Sequence, residues 1–170
     1  MHLLDIGPVN TSYTDLPRDI RLPKSVLKER VTVSIEHNKA IVRNYTELTN
    51  ARDLDGAFAH FSPGFVDHAV RPGMPSGSAG TRLLFNMMFT AFPDLHATIE
   101  DIIAEGDKVV DRMTCEGTHQ GFFMGAPPTG KRVKWSFIDI NRIVDGKIVE
   151  HWVETGQMDL LQQLGLVPPL

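Results

Sequence analysis

Arg132-Val133-Lys134-Trp135-Ser136-Phe137-Ile138-Asp139-Ile140-Asn141-Arg142-Ile143-Val144 alternates as a β-strand does. Successive strand side chains point to opposite faces. One face therefore carries Val133, Trp135, Phe137, Asp139, Asn141 and Ile143, and the other Arg132, Lys134, Ser136, Ile138, Ile140 and Arg142. Asp145-Gly146 follows, the strongest short hairpin signal, and Lys147 to Thr155 reads as the returning strand. A two-residue loop pairs Val144 with Lys147. Counting back sets Asp139 opposite Trp152 and Asn141 opposite Glu150. A single bulge would shift that count and bring His151 to Asp139 instead.

Working outward, Lys108 to Thr118 and Ala97 to Ala104 read as two further strands, joined at Glu105-Gly106-Asp107. Gly121 to Lys131 is a loop rich in Gly and Pro. No Gly-Lys-Ser/Thr follows a strand and opens a helix there, so it is not a phosphate-binding loop. The first half has a helical period instead. Ile41, Tyr45 and Leu48 share one face of a helix over Val33 to Thr49. Asp53 caps a second helix at Leu54 to Phe61, which Ser62-Pro63-Gly64 breaks. Phe65 to Val70 is a short strand, Arg71 to Gly80 a loop, and Thr81 to Phe92 an apolar helix stopped by Pro93-Asp94. A short helix, Met158 to Leu164, closes the chain. Helices first and a meander of antiparallel strands afterwards predict an α+β domain, with a curved antiparallel sheet wrapped around the N-terminal helices. Its concave face would form a pocket. Residues 1–32 are interrupted by Pro8, Pro17 and Pro23 and read as an extended leader arm, either disordered or wrapped on a partner subunit. Residues 33–170 form the domain.

The chain has 170 residues, 42% apolar and 22% charged, with a net charge of −4. That charge argues against a protein that holds phosphate backbones, so no nucleic-acid partner is expected. No apolar run approaches the length of a membrane span, and Met1 to Pro8 lacks the basic and apolar regions of a signal peptide. Cys115 is the single cysteine, which fits a reducing compartment and a cytoplasmic location. The seven histidines, at 2, 37, 60, 68, 96, 119 and 151, show no tight metal-ligand spacing. No metal site is expected.

Asp139 is the residue that asks for chemistry. It follows Trp135 and Phe137 on the apolar face, where a carboxylate must be hydrogen-bonded, protonated or used. Desolvation raises a carboxyl pKa, and a carboxyl tuned toward neutrality can take a proton from a carbon acid and return it elsewhere. An Asp tied to a backbone amide or to an arginine at the pocket rim is the other reading.

Gly117-Thr118-His119-Gln120-Gly121, Gly125-Ala126-Pro127-Pro128-Thr129-Gly130-Lys131, Asp139-Ile140-Asn141-Arg142, Asp145-Gly146-Lys147-Ile148, Glu150-His151-Trp152 and Gln163-Leu164-Gly165, with Phe92-Pro93-Asp94 and Glu105-Gly106-Asp107 before them, resemble the SnoaL-like polyketide cyclase family. The similarity runs over about residues 36–166. It implies an NTF2-like cone without metal or organic cofactor. It also implies ring closure by intramolecular aldol condensation, with an aspartate on the strand before the last hairpin as acid/base, a position matched by Asp139.

His119, before the Gly/Pro loop, either polarises a substrate carbonyl or pins that loop. Trp135, Phe137 and Trp152 are expected to hold a hydrophobic, carbonyl-containing small molecule, with His151 and Trp152 as wall, Asn141 on the same face and His68 a further pocket residue. Tyr45, Phe85, Met87, Met88 and Phe89 read as core. Glu150 is a candidate second acid. The expectation is an acid/base cyclase or isomerase. The alternatives are a non-catalytic binding module and a hydrolase activating water among Asp139, Asn141 and Glu150. Ile138, Ile140 and Val149 on the outer face predict a homodimer or higher homo-oligomer.

Overall fold

A computed structural model of the chain describes residues 24–69 and 73–168. The elements are α1 (Lys24–Asn50), α2 (Leu54–Phe58), β1 (Phe61–Asp67), α3 (Ser78–Ala91), β2 (His96–Glu105), β3 (Lys108–Thr118), β4 (Arg132–Val144), β5 (Lys147–Thr155) and α4 (Gln157–Leu164). The five strands form one sheet in the order β1-β5-β4-β3-β2. β2 to β5 are antiparallel neighbours, and β1 joins the β5 edge in parallel. This is the α+β cone expected from the order of periodicities.

The leader needs correcting. α1 begins at Lys24, so the boundary placed at residue 33 falls inside a helix. The reason is local: residues 24–50 contain neither Gly nor Pro, and after Pro23 nothing interrupts helical propagation. The remainder of the extended arm, residues 1–23, lies outside the described residues, as do residue 70 of the predicted strand and residues 71–72 of the predicted loop. Asp53 caps α2 as expected, its Oδ1 accepting from Gly56 N at 2.9 Å. α2 is shorter than predicted, because Phe61 already pairs with Ile148 in β1. Ser62-Pro63-Gly64 therefore lies within the strand. The pairing skips from Phe61 to Val66 there, and an edge strand tolerates the missing donor of Pro63.

The β4–β5 turn is a two-residue loop pairing Val144 with Lys147, with Asp145 at φ 49° and Gly146 at φ 73°. Positive φ at both central positions matches the twist of the flanking strands. The count then slips. Ile143 pairs with Ile148 but Arg142 with Glu150, leaving Val149 as an extra residue on β5. Beyond this bulge Asn141 pairs with His151, Ile140 with Trp152 and Asp139 with Val153. The expected Asp139–Trp152 and Asn141–Glu150 pairs are overturned, and His151 rather than Trp152 turns to the concave face.

Two buried clusters flank that concavity. Phe92, Leu95, Phe123, Val133, Trp135, Leu160 and Leu164 form one. Ile41, Val42, Phe61, Phe65, Ile102, Val109, Ile143 and Ile148 form the other. No helix among the described residues is long and apolar enough to cross a membrane.

Candidate active site

Four of the five strands bring polar side chains to the same place. β4 supplies Asp139 and Asn141. β3 supplies Asp111, directly opposite Asp139. β5 supplies His151 opposite Asn141, and β1 ends on Asp67 beside His151. His151 bridges two acids: its Nδ1 lies 3.1 Å from Asp67 Oδ1 and its Nε2 lies 3.2 Å from Asp139 Oδ1. Asp67 is held in turn by the Thr81 hydroxyl of α3, which donates to Oδ2 at 2.8 Å, and by the Ala69 amide, which donates to Oδ1 at 3.0 Å. Asn141 Nδ2 donates to Asp111 Oδ1 at 3.2 Å, and both residues are buried.

The cluster lies on the wall of a cavity of about 470 Å³. The rest of the wall is largely apolar, including Leu84, Phe85, Met88, Phe123, Trp135 and Phe137. Tyr45, expected to be core, also lines it.

The electrostatics follow from burial and proximity. Burial alone would push His151 down, but the two carboxylates in contact with it prevail and carry its pKa up to about 10, so it stands as an imidazolium. For Asp67, burial works upward. The His151 hydrogen bond and charge, the Ala69 amide and the Thr81 hydroxyl outweigh it and hold the carboxyl below its usual range. Among the described residues no cation is in ion-pair contact with Asp111. Burial first, and the Asp139 charge second, raise it to about 7. Burial, then the Asp139, Asp67 and Asp111 charges, push the Tyr45 phenol well above its ordinary value, so it stays protonated and is able to donate a hydrogen bond.

Asp111 makes a prediction with an unusual sign. Its folded pKa is raised, so ionisation costs stability as pH climbs from about 3.8 in the unfolded chain through about 7 in the folded one. Asp111→Asn removes that charge and keeps an acceptor for Asn141. We expect the variant to melt roughly 5 °C or more above wild type at pH 8 and close to it at pH 4. Calorimetry at the two pH values checks this; a lower melting temperature at pH 8 refutes it.

Of the residues singled out from the sequence, Asp139, Trp135, Phe137, Asn141 and His151 meet on this wall. Four others do not. Trp152 faces outward because of the Val149 bulge and stacks on His68, with ring centroids 4.5 Å apart and planes 3° apart. His68 is therefore an outer-face residue too. His119 is fully buried but away from the cavity wall. Its Nδ1 accepts from the Thr129 amide at 3.2 Å, and its ring packs against Phe92 and Phe123. That bond ties the ring to the Gly/Pro loop, while Nε2 is buried without a partner among the described residues. Glu150 points outward as well and pairs with Arg142 at 2.8 Å. The second acid is Asp111, which period-two alternation along β3 puts on the face of Val109 and Met113. Asp67 carried no local signal.

A family model described as SnoaL-like polyketide cyclase matches residues 39–164. The chain belongs to the SnoaL-like polyketide cyclase family. Aklanonic acid methyl ester cyclase DnrD of Streptomyces peucetius is 30% identical to it over 132 residues, covering 74% of this chain and 88% of DnrD. AclR of Streptomyces galilaeus, a candidate hydroxylase, shares 38% identity and a TM-score of 0.73, covering 80% of this chain and 85% of AclR. IdmH of Streptomyces antibioticus, a candidate polyketide cyclase, shares 32% identity and a TM-score of 0.66, covering 75% of this chain and 98% of IdmH. The curved five-stranded sheet with its helices is thus the NTF2-like cone of SnoaL-like cyclases. The geometry of this chain shows an Asp–His–Asp bridge backed by a third buried acid.

Proposed function

We propose that this SnoaL-like protein is an acid/base catalyst that closes a ring by intramolecular aldol addition in a hydrophobic, carbonyl-rich small molecule of the polyketide class. One observation carries the reading: Asp139 sits on the wall of an apolar cavity while its carboxylate is tied to the imidazolium of His151. Asp139 takes a proton from carbon flanked by carbonyls. The enolate carbon attacks a second carbonyl of the same molecule, and Asp139 returns the proton to the new alkoxide, so no atoms are gained or lost. His151 and Asp67 hold the carboxylate in place. Tyr45, protonated and on the same wall, donates a hydrogen bond to developing oxyanion charge. The apolar wall excludes water from the enolate. The test is incubation in D₂O with aklanonic acid methyl ester and simpler 1,3-diketones, following deuterium entry and ring closure by mass spectrometry and NMR. Neither exchange nor product, with every ligand of a polyketide, epoxide and lactone panel returned unchanged, favours a binding module instead.

The facing Asp111–Asp139 pair with Asn141 between strands favours a second reading, a hydrolase holding one water between a carboxylate and a carboxylic acid. Solvent oxygen-18 in product separates it from the cyclase, and oxygen-18 arriving from O₂ instead would follow the likeness to AclR. We also propose a homodimer across the convex face, where Ile138 and Ile103 are exposed and Trp152, Ile140 and Val110 share one row of register. Light scattering that finds a monomer at micromolar concentration excludes it.

A further inference from the structure

The cavity has a second polar end that the acid/base reading leaves unused. Arg52 lines it together with Phe89, and the Arg52 guanidinium carbon lies 3.9 Å above the Phe89 ring centroid. Nη2 is committed to the backbone, donating to the carbonyls of Pro93 at 2.9 Å and Leu95 at 2.8 Å. Nη1 is shut off from water and has no acceptor among the described residues. No carboxylate stands within ion-pair distance of Arg52 among those residues. Asp94, whose charge acts on it, is occupied by Thr118 and Arg132.

Arg52 follows the end of α1 with φ 65°, the left-handed position of a helix C-terminal cap: its amide donates to the Thr49 carbonyl and the Asp53 amide to the Leu48 carbonyl, each at 3.0 Å. Glycine is favoured at such a position, and here a long cationic residue that lines the cavity stands in its place.

We propose that Arg52 forms an anion-accepting subsite at the end of the cavity remote from the acid cluster, and that it takes a carboxylate or similar planar oxyanion of the ligand. This rests on the cavity being the ligand site. Tyr45 lies within the field of Asp67, Asp111 and Asp139. Arg52 is seven residues further on, roughly 10 Å along the α1 axis at 1.5 Å per residue. One end of the cavity thus carries three acids and a single imidazolium, and the other a guanidinium with no carboxylate in ion-pair contact among the described residues. A ligand carboxylate is repelled from the first and drawn to the second. Nη1 competes with no hydration water, and the fork of a guanidinium matches a carboxylate. The same field would set the orientation of the substrate, placing its enolisable carbonyls against Asp139 when its acidic group is at Arg52.

The probe is anthraquinone-2-carboxylate, set against its methyl ester, with binding measured by calorimetry at pH 6.5. Wild type is expected to bind the acid at least tenfold more tightly than the ester. Arg52→Gln should lose that preference while still binding the ester. Asp139→Asn should keep the preference even where turnover is gone, so failure of the subsite and failure of the acid/base reading are told apart. Arg52→Gly, whose backbone suits the left-handed turn, replaces the Gln variant if the latter does not fold. Equal affinity of wild type for acid and ester, no binding of either, or a preference that survives in the Gln or Gly variant overturns the proposal.

Discussion

Asp139→Asn is expected to lower turnover about 10³-fold, within the range of 10²–10⁴ that a positioned acid/base contributes, while leaving ligand affinity within a few-fold of wild type. The amide has the size of the carboxyl and can still accept a hydrogen bond from His151, but it cannot take up a proton from carbon. The fold should survive. His151 retains Asp67 as a partner at 3.1 Å, and Asp111 loses a repelling neighbour, since the Asp139 charge is one cause of its raised pKa. Steady-state rates on any substrate found by deuterium exchange, together with a circular-dichroism melt, measure both halves of this expectation. A variant that is well folded and within tenfold of wild type in rate removes Asp139 from the chemistry.

That the prediction can name Asp139 at all is owed to local pattern. Period-two alternation put Trp135, Phe137 and Asp139 on one face, and the structure keeps them there because alternation along a single strand does not depend on its neighbours. Asp145-Gly146 likewise specified its own turn, both residues adopting the positive φ it requires. The partner across the hairpin was less legible. One extra residue, Val149, exchanges the faces of His151 and Trp152, and nothing in Lys147–Thr155 marks it, since Ile148 and Val149 suit a strand in either register. The bulge decides which of the two neighbouring rings becomes the imidazolium of the site and which becomes an outer-face stack with His68.

Asp111 was readable in principle, because alternation along Lys108–Thr118 places it among inward-facing apolar side chains. Asp67 was not readable. It reaches His151 through the parallel pairing of β1 with β5, between residues 84 apart in the chain, and such a contact leaves no spacing rule in the sequence. Thr81 is hidden for the same reason. For His119, before the glycine-rich segment that follows β3, the sequence leaves both readings open; its Nδ1 accepts from the Thr129 amide and its Nε2 is buried without a partner among the described residues.

His151→Leu is expected to be the most destabilising single change at the site, and its cost should depend on pH in one direction. Asp67 and Asp139 have side chains only 6% and 13% exposed, so removal of the imidazolium leaves two buried carboxylates facing each other without a cation. Breaking such a pair costs about 3–5 kcal/mol. The sign follows from linkage. The folded pKa of about 10 lies above the ordinary 6.5 of the unfolded chain, so the stabilisation is complete below about pH 6.5 and drains away as pH rises through 10. A shift of that size corresponds to roughly 5 kcal/mol, the same order as the cost of breaking the pair. On the acid side, the lowered pKa of Asp67 makes its share present above about pH 3.8 and lost as pH falls through its folded value. Urea unfolding of wild type and His151→Leu should therefore differ most near pH 6 and converge toward pH 10. A difference that stays constant over that interval would mean that His151 supports the fold by packing rather than by charge, and the carboxylate it touches would then need another account of how it is kept ready for a proton.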